Sequence, residues 1–144
     1  YLRFSSFKYS TKHHTNPFIH LTNNSVQKHS AEYNEESGNQ MYLSDIKNFM
    51  PEQNYHKVQS KIREIIWISM IAARRKINVN GRKECFEIFG YDFMVDSAFK
   101  VWLIEVNTNP AIDDCSPMLK AMIPRMLDDA FKLTIDKIFN NKLN

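Results

Sequence analysis

The chain has 144 residues, 43% of them apolar and 24% charged, which suits one folded domain, or a piece of a larger one, and argues against intrinsic disorder. Its three glycines, Gly38, Gly81 and Gly90, cannot spell GxxxxGKS/T or GxGxxG, so the Gly-rich phosphate loops are excluded. No apolar run approaches the ~20 residues of a membrane span, and the formal net charge of +3 permits an acidic partner without requiring one.

Tyr1-Leu2-Arg3 opens the chain with no initiating methionine and no signal or transit pattern, which reads as an excised fragment. Residues 1–29 are dense in Tyr, Phe, Ser, Thr and His; Pro17 interrupts helix formation, and irregular strands and loops are expected, with Phe18–Leu21 as an apolar clip. Residues 30–44 are polar, and Glu32, Glu35 and Glu36 suit a solvated surface loop. Ser44 is a candidate cap for a short helix ending near Pro51.

From about Tyr55 to Ile77 the pattern is helical. Val58, Ile62, Ile65, Ile66, Ser69, Met70 and Ala73 recur at threes and fours, which leaves Lys57, Lys61 and Arg63 toward solvent. Arg74, Arg75 and Lys76 fall in the last turn and suit the negative end of the helix dipole. A nucleic-acid patch would use the same cations, but no basic stripe extends from them. Asn80-Gly81 turns the chain. Residues 85–107 are two β-prone runs around Asp96–Phe99, a hairpin. Ser116-Pro117 then starts a helix. Its apolar face runs from Leu119 through Met122, Met126 and Phe131 to Ile138, and Pro124 kinks or restarts it.

The hairpin carries the chemistry. Strand alternation puts Trp102, Ile104 and Val106 on one apolar, core-facing side, and Val101, Leu103, Glu105 and Asn107 on the other. An even-length turn pairs Asp92 with Leu103, diagonal to Glu105 at roughly 7–8 Å. Two carboxylates and an amide converging on one face suit Mg²⁺, a hard cation that takes oxygen ligands and shares substrate phosphates. The alternative is that both carboxylates bond backbone amides or basic partners, and an odd-length turn separates Asp92 from the other two.

Other constellations are weaker. His13, His14, His20 and His29 have no cysteine among them to complete a zinc site. Neither GxSxG nor HExxH occurs. Cys85 and Cys115 form neither a CxxC pair nor a disulfide framework, and a reducing intracellular setting is expected.

The strings HLTNNSVQKHS (20–30), FEIFGYDFMVD (86–96) and VWLIEVNTNP (101–110) resemble the tubulin–tyrosine ligase family, with its polyglutamylase and polyglycylase relatives. The resemblance runs from Arg3 to about Phe139. It implies an α+β chain, the C-terminal part of an ATP-grasp fold with an antiparallel sheet and packed helices, whose N-terminal part, with the ATP-binding lysines, precedes Tyr1.

The implied activity is ATP-dependent addition of an amino acid to a tubulin carboxylate through an acyl phosphate. By motif, Asp92, Glu105 and Asn107 match the Mg²⁺ ligands. Arg3 matches an arginine near the ATP phosphates and the acyl phosphate, and Thr22 and Asn23 match nucleotide-side loop residues. The implied partners are ATP, Mg²⁺, an amino-acid co-substrate and the acidic C-terminal tails of tubulin or microtubules, with no nucleic acid and no membrane. The implied setting is cytoplasm and cytoskeleton, including cilium or basal body. The competing expectation is a non-catalytic module that binds tubulin or microtubules through its Lys and Arg side chains.

Overall fold

The computed structural model describes residues 1–36, 38–113 and 116–140; Cys115 lies outside them. Helices and small antiparallel sheets make an α+β chain, divided into two compact units. One comprises Tyr1–Phe49 with Ser116–Met118, the other Met50–Cys115 with Leu119–Asn144. Among the described residues no helix is long and apolar enough to cross a membrane.

The first unit pairs β1 (Leu2–Arg3) with β2 (Gln40–Met41), Arg3 opposite Gln40. Between them lie two short helices, α1 (Pro17–His20) and α2 (Asn24–Gln27). Pro17 therefore starts a helix rather than interrupting one. It occupies the first turn, where its missing N–H has no intrahelical partner to lose, and Asn16 Oδ1 caps by accepting from Phe18 N at 3.0 Å. Of the expected apolar clip, only Ile19 is buried. A 3-10 helix spans Leu43–Asn48 with Tyr42 at its N-cap, so Ser44 sits inside the helix and bonds Asp45 Oδ1 instead of capping.

This unit is organised around amides. Gln27 is 0% exposed. Its Oε1 accepts from Ser6 N at 2.8 Å and Ser6 Oγ at 2.6 Å, while Nε2 donates to the carbonyls of Phe18 and Leu21. Asn39, also buried, donates to Phe4 O at 3.0 Å and Thr22 O at 2.9 Å, and its Oδ1 accepts from Asn24 at 3.0 Å. These side chains meet loop carbonyls and amides that no ladder satisfies, and buried polar groups must be paired. The polar segment 30–44 is thus only partly a solvated loop.

The second unit begins with α3 (Glu52–Ile77), 26 residues long. Val58 is 2% exposed, and the predicted stripe from Ile62 to Ala73 is half-buried, with Lys57, Lys61 and Arg63 exposed. The 3.6-residue period is thereby realised in burial. Next come β3 (Gly90–Val95) and β4 (Val101–Asn107), antiparallel, and α3 packs against both. Residues 85–89 do not extend the first strand.

The helix α4 (Pro117–Leu133) has Pro117 first and continues through Pro124 without restarting. The break comes at Thr134, whose Oγ1 donates to Ala130 O at 2.6 Å, before α5 (Ile135–Asn140). Leu119 is buried, but Met126 and Phe131 on the same predicted face are exposed.

Candidate functional site: a carboxylate pair across a bulged hairpin

The hairpin loop is Asp96–Lys100, five residues rather than the four of Asp96–Phe99. Asp96 builds it. Its Oδ1 accepts from Ala98 N at 2.9 Å and Lys100 N at 3.0 Å, and its Oδ2 accepts from Trp102 Nε1 at 3.0 Å. Phe99 takes a positive φ of 60° to close the turn, and Lys100 Nζ lies 3.7 Å from the Trp102 ring centroid. The indole hydrogen bond, then those from the backbone and the nearby Lys100 charge, holds the Asp96 carboxyl below the usual carboxylate range.

From this loop the ladder runs Val95 opposite Val101, Met94 opposite Trp102, Phe93 opposite Leu103. Continued regularly, it would set Asp92 against Ile104 and carry Asp92 away from Glu105. Instead the register shifts between Asp92 and Phe93, and Asp92 stands opposite Glu105, Tyr91 opposite Val106 and Gly90 opposite Asn107. Ile104 is the extra residue of a β-bulge. The odd loop and the bulge cancel, so the expected grouping holds by a different route: Asp92 is directly opposite Glu105, not diagonal to it.

Directly opposed residues share a face, and β3 alternates regularly. Gly90, Asp92 and Met94 therefore lie with Asn107, Glu105 and Trp102, while Tyr91, Phe93 and Val95 lie with Val106, Leu103 and Val101. Strict alternation along β4 had assigned Trp102 to the opposite side from Glu105. The expected core-facing set also fails, because Trp102 is 47% and Ile104 57% exposed. The buried contacts belong to the other face, where Val101 is buried, Tyr91 stacks on Phe93 at 6.0 Å, and Tyr91 Oη meets Ser69 Oγ of α3 at 2.9 Å. A bulge resets which side each later residue takes, and counting by twos across it reverses the faces.

Direct opposition brings the Cβ atoms of Asp92 and Glu105 to roughly 4.5–5.5 Å. Two charges 4 Å apart in water repel by only about 1 kcal/mol, which a partly exposed pair tolerates. Asn107 Nδ2 donates to Glu105 Oε1 at 3.1 Å, which orients the carboxylate and leaves the amide oxygen for other use. The strand end is shaped by a close approach: a Cβ built on Gly90 would lie 2.9 Å from Pro110 Cβ and 3.7 Å from Asn107 Cβ.

The donor set is all oxygen, two carboxylates and an amide. It fits a hard divalent cation such as Mg²⁺ that fills its remaining positions with water or phosphate, and not a zinc site built from thiolate and imidazole. Among the described residues no group of three His, Cys, Asp or Glu side chains comes together, and the four N-terminal histidines form no such cluster.

The other predicted site residues lie in the first unit. Arg3 is exposed on β1; Asn23 is exposed at the N-cap position of α2 without a side-chain capping bond; Thr22 is half-buried with its carbonyl held by Asn39. Asn39 reaches both the Phe4 carbonyl beside Arg3 and the Thr22 carbonyl, so it ties those two segments together. Sequence reasoning missed Asn39 and Gln27. The one available signal was the density of amides in residues 23–27, inside a string already recognisable for other reasons.

Known proteins resemble this chain in sequence. A sequence model described as the Tubulin-tyrosine ligase family matches residues 1–142. Tubulin glycylase 3D of Tetrahymena thermophila is 36% identical over 145 residues, covering 94% of this chain and 14% of the relative. Tubulin monoglutamylase TTLL4 of Homo sapiens is 31% identical over 148 residues, covering 92% and 12%. Tubulin polyglutamylase TTLL5 of Homo sapiens is 32% identical over 146 residues, covering 90% and 11%, so the chain spans a small part of each of these relatives. With the family model matching nearly end to end, the chain belongs to the tubulin-tyrosine ligase family.

Proposed function

We propose that this chain is the C-terminal part of an ATP-grasp ligase domain that joins an amino acid to a tubulin carboxylate. The observation that carries the reading is Asp92 opposite Glu105 with Asn107 on the same face. On this reading a tubulin carboxylate attacks the γ-phosphate of ATP, the bond to the β–γ bridging oxygen breaks to release ADP, and the acyl phosphate so formed is attacked by the amine of the incoming amino acid, which forms the amide and releases phosphate and a proton. Phosphoryl transfer asks the protein mainly for positioning and charge neutralisation.

Asp92, Glu105 and Asn107 would hold Mg²⁺, which when bound supplies neutralisation of the phosphate oxygens. Asn107 orients Glu105 through its amide. Arg3 offers a bidentate fork to phosphate or to the acyl phosphate. Thr22 and Asn23 contribute polar groups on the nucleotide side. Relatives named as tubulin glycylases and glutamylases support tubulin as the partner and the cytoskeleton as the setting.

The test incubates the intact protein with tubulin, ATP, Mg²⁺ and each of labelled tyrosine, glutamate and glycine. Label transferred to tubulin from one of them, and lost in the Glu105→Gln variant, is the expected result. Transfer of none, by folded protein that still binds tubulin, favours the non-catalytic binding module instead.

A further inference from the structure

The buried amides of Gln27 and Asn39 both hold the first unit together, but they join different segments. Gln27 bonds Ser6, Phe18 and Leu21, none of them a candidate site residue. Asn39 Nδ2 donates to the carbonyl of Thr22 itself at 2.9 Å and to the carbonyl of Phe4, the residue after Arg3, at 3.0 Å. The main-chain carbonyl of Asn39 also accepts from Phe4 N at 2.9 Å, so one residue holds both backbone polar groups of Phe4. Gln40, next along from Asn39, stands opposite Arg3 in the β1–β2 pair. Arg3 and Thr22 lie far apart in sequence, and this one side chain spans the segments that carry them.

The Asn39 amide is itself held from behind. Its Oδ1 accepts from Asn24 Nδ2 at 3.0 Å, and the same Asn24 nitrogen donates to Tyr33 Oη at 3.0 Å. Gly38, at φ +63°, turns the chain just before Asn39. The side chain is 8% exposed and both ends of its amide are engaged. Turned over, Oδ1 would face two carbonyl oxygens, so the partners fix its orientation. No other small side chain serves here: a hydroxyl donates once, an ionised carboxylate donates nothing, and an ammonium brings a charge that is costly to bury.

We infer that Asn39 is a positioning residue for the nucleotide: its amide fixes the Arg3 strand against the Thr22–Asn23 loop, so that both segments address one ligand. The inference deepens the ligase reading and rests on it, since that reading gives Arg3 the phosphates and Thr22 and Asn23 the nucleotide side. Asn39 is buried and acts through these residues without touching the ligand. Phosphoryl transfer depends on such placement, and a misplacement of ~1 Å from a change remote from the chemistry costs on the order of a hundredfold in rate. Gln27 is as deeply buried and as fully bonded, yet it anchors neither Arg3 nor Thr22 directly.

The test is a double-mutant cycle in the intact protein. Asn39→Ser, which keeps one donor of two, is made alone and on top of Arg3→Ala/Thr22→Val. The Kd for Mg·ATP by calorimetry, the KM for Mg·ATP and for tubulin, and a thermal melt are measured where circular dichroism matches wild type. Alone, Asn39→Ser should raise the Kd and KM for Mg·ATP at least tenfold and move the KM for tubulin less than twofold. In the Arg3→Ala/Thr22→Val background it should raise the Kd less than twofold further, because the groups it positions are gone. A lowered melting temperature with unchanged Mg·ATP binding, or the same loss in both backgrounds, would overturn the inference. If Asn39→Ser does not fold, Asn24→Ala releases the Asn39 amide from behind and enters the same cycle. It should raise the Kd at least threefold, and an unchanged Kd overturns the inference. Ligation by wild type with Mg·ATP binding indifferent to Asn39 overturns this inference alone. Absent ligation with Mg·ATP binding that depends on Asn39 through Arg3 and Thr22 overturns the ligase reading and leaves the positioning role standing.

Discussion

Asp92 faces Glu105 across the β3–β4 ladder because Ile104 takes no partner of its own. The pairing needs two irregularities at once, an odd loop of Asp96–Lys100 and one extra residue in β4. Bulges concentrate next to active sites because they re-aim side chains, and here the re-aimed side chain is a carboxylate.

Glu105→Gln keeps the size of the side chain and removes its charge. Since Glu105 is exposed, folding should be nearly unaffected, with stability within about 0.5 kcal/mol of wild type. Ligation by the intact protein should fall on the order of a hundredfold or more, the scale on which removing one electrostatic stabiliser acts. Turnover of labelled amino acid onto tubulin, alongside a thermal melt, separates the two effects.

Gly90→Ala should be costly for a reason unrelated to its backbone angle. The new Cβ would meet Pro110 Cβ at 2.9 Å, a proline ring carbon rather than the far end of a flexible side chain. The expected loss is about 1–3 kcal/mol, the usual range for overpacking. Gly81→Ala meets nothing within 4 Å but keeps a φ of +58°, and should cost about 1–2 kcal/mol through conformation alone. Equal stability of Gly90→Ala and wild type in denaturant melts would show that the segment 108–110 moves freely over β3.

Gln27→Leu tests the amide core of the first unit. Leucine fills a similar volume but leaves the Ser6 amide and the Leu21 carbonyl without their buried partner, while the Phe18 carbonyl keeps only the bond from Phe7 N at 3.4 Å. Each such loss costs about 1–3 kcal/mol, so the variant should be among the most destabilised single changes in the chain. Urea melts of the two proteins side by side measure this, and a gain in stability would mean the site is apolar in character.

Asp96 gives a pH dependence of known sign. Its pKa is lowered in the folded chain, so its contribution is present above the unfolded carboxylate pKa and is lost as pH falls through the depressed value. Acidification below the ordinary carboxylate range should release the indole, seen as a change in Trp102 fluorescence, and Asp96→Asn should remove that transition. A Trp102 signal that titrates identically in the variant would assign the change to another group.

Much of this protein is readable in one dimension. The apolar period of Val58 to Ala73 determines α3 and its buried side, because a helix repeats every 3.6 residues whatever surrounds it. The strings around Asp92, Glu105 and Asn107 determine the family the chain belongs to, and the charge excess of residues 74–87 is plain from composition. What the tertiary structure alone decided is which side of the hairpin each of those residues occupies. A strand's faces depend on pairing between segments distant in sequence, and one loop residue or one bulged Ile104 inverts every side chain beyond it without changing a letter of the local pattern. The same reason hides Gln27 and Asn39: an amide surrounded by polar neighbours reads as surface, and only packing shows that its partners are buried carbonyls brought from elsewhere in the first unit.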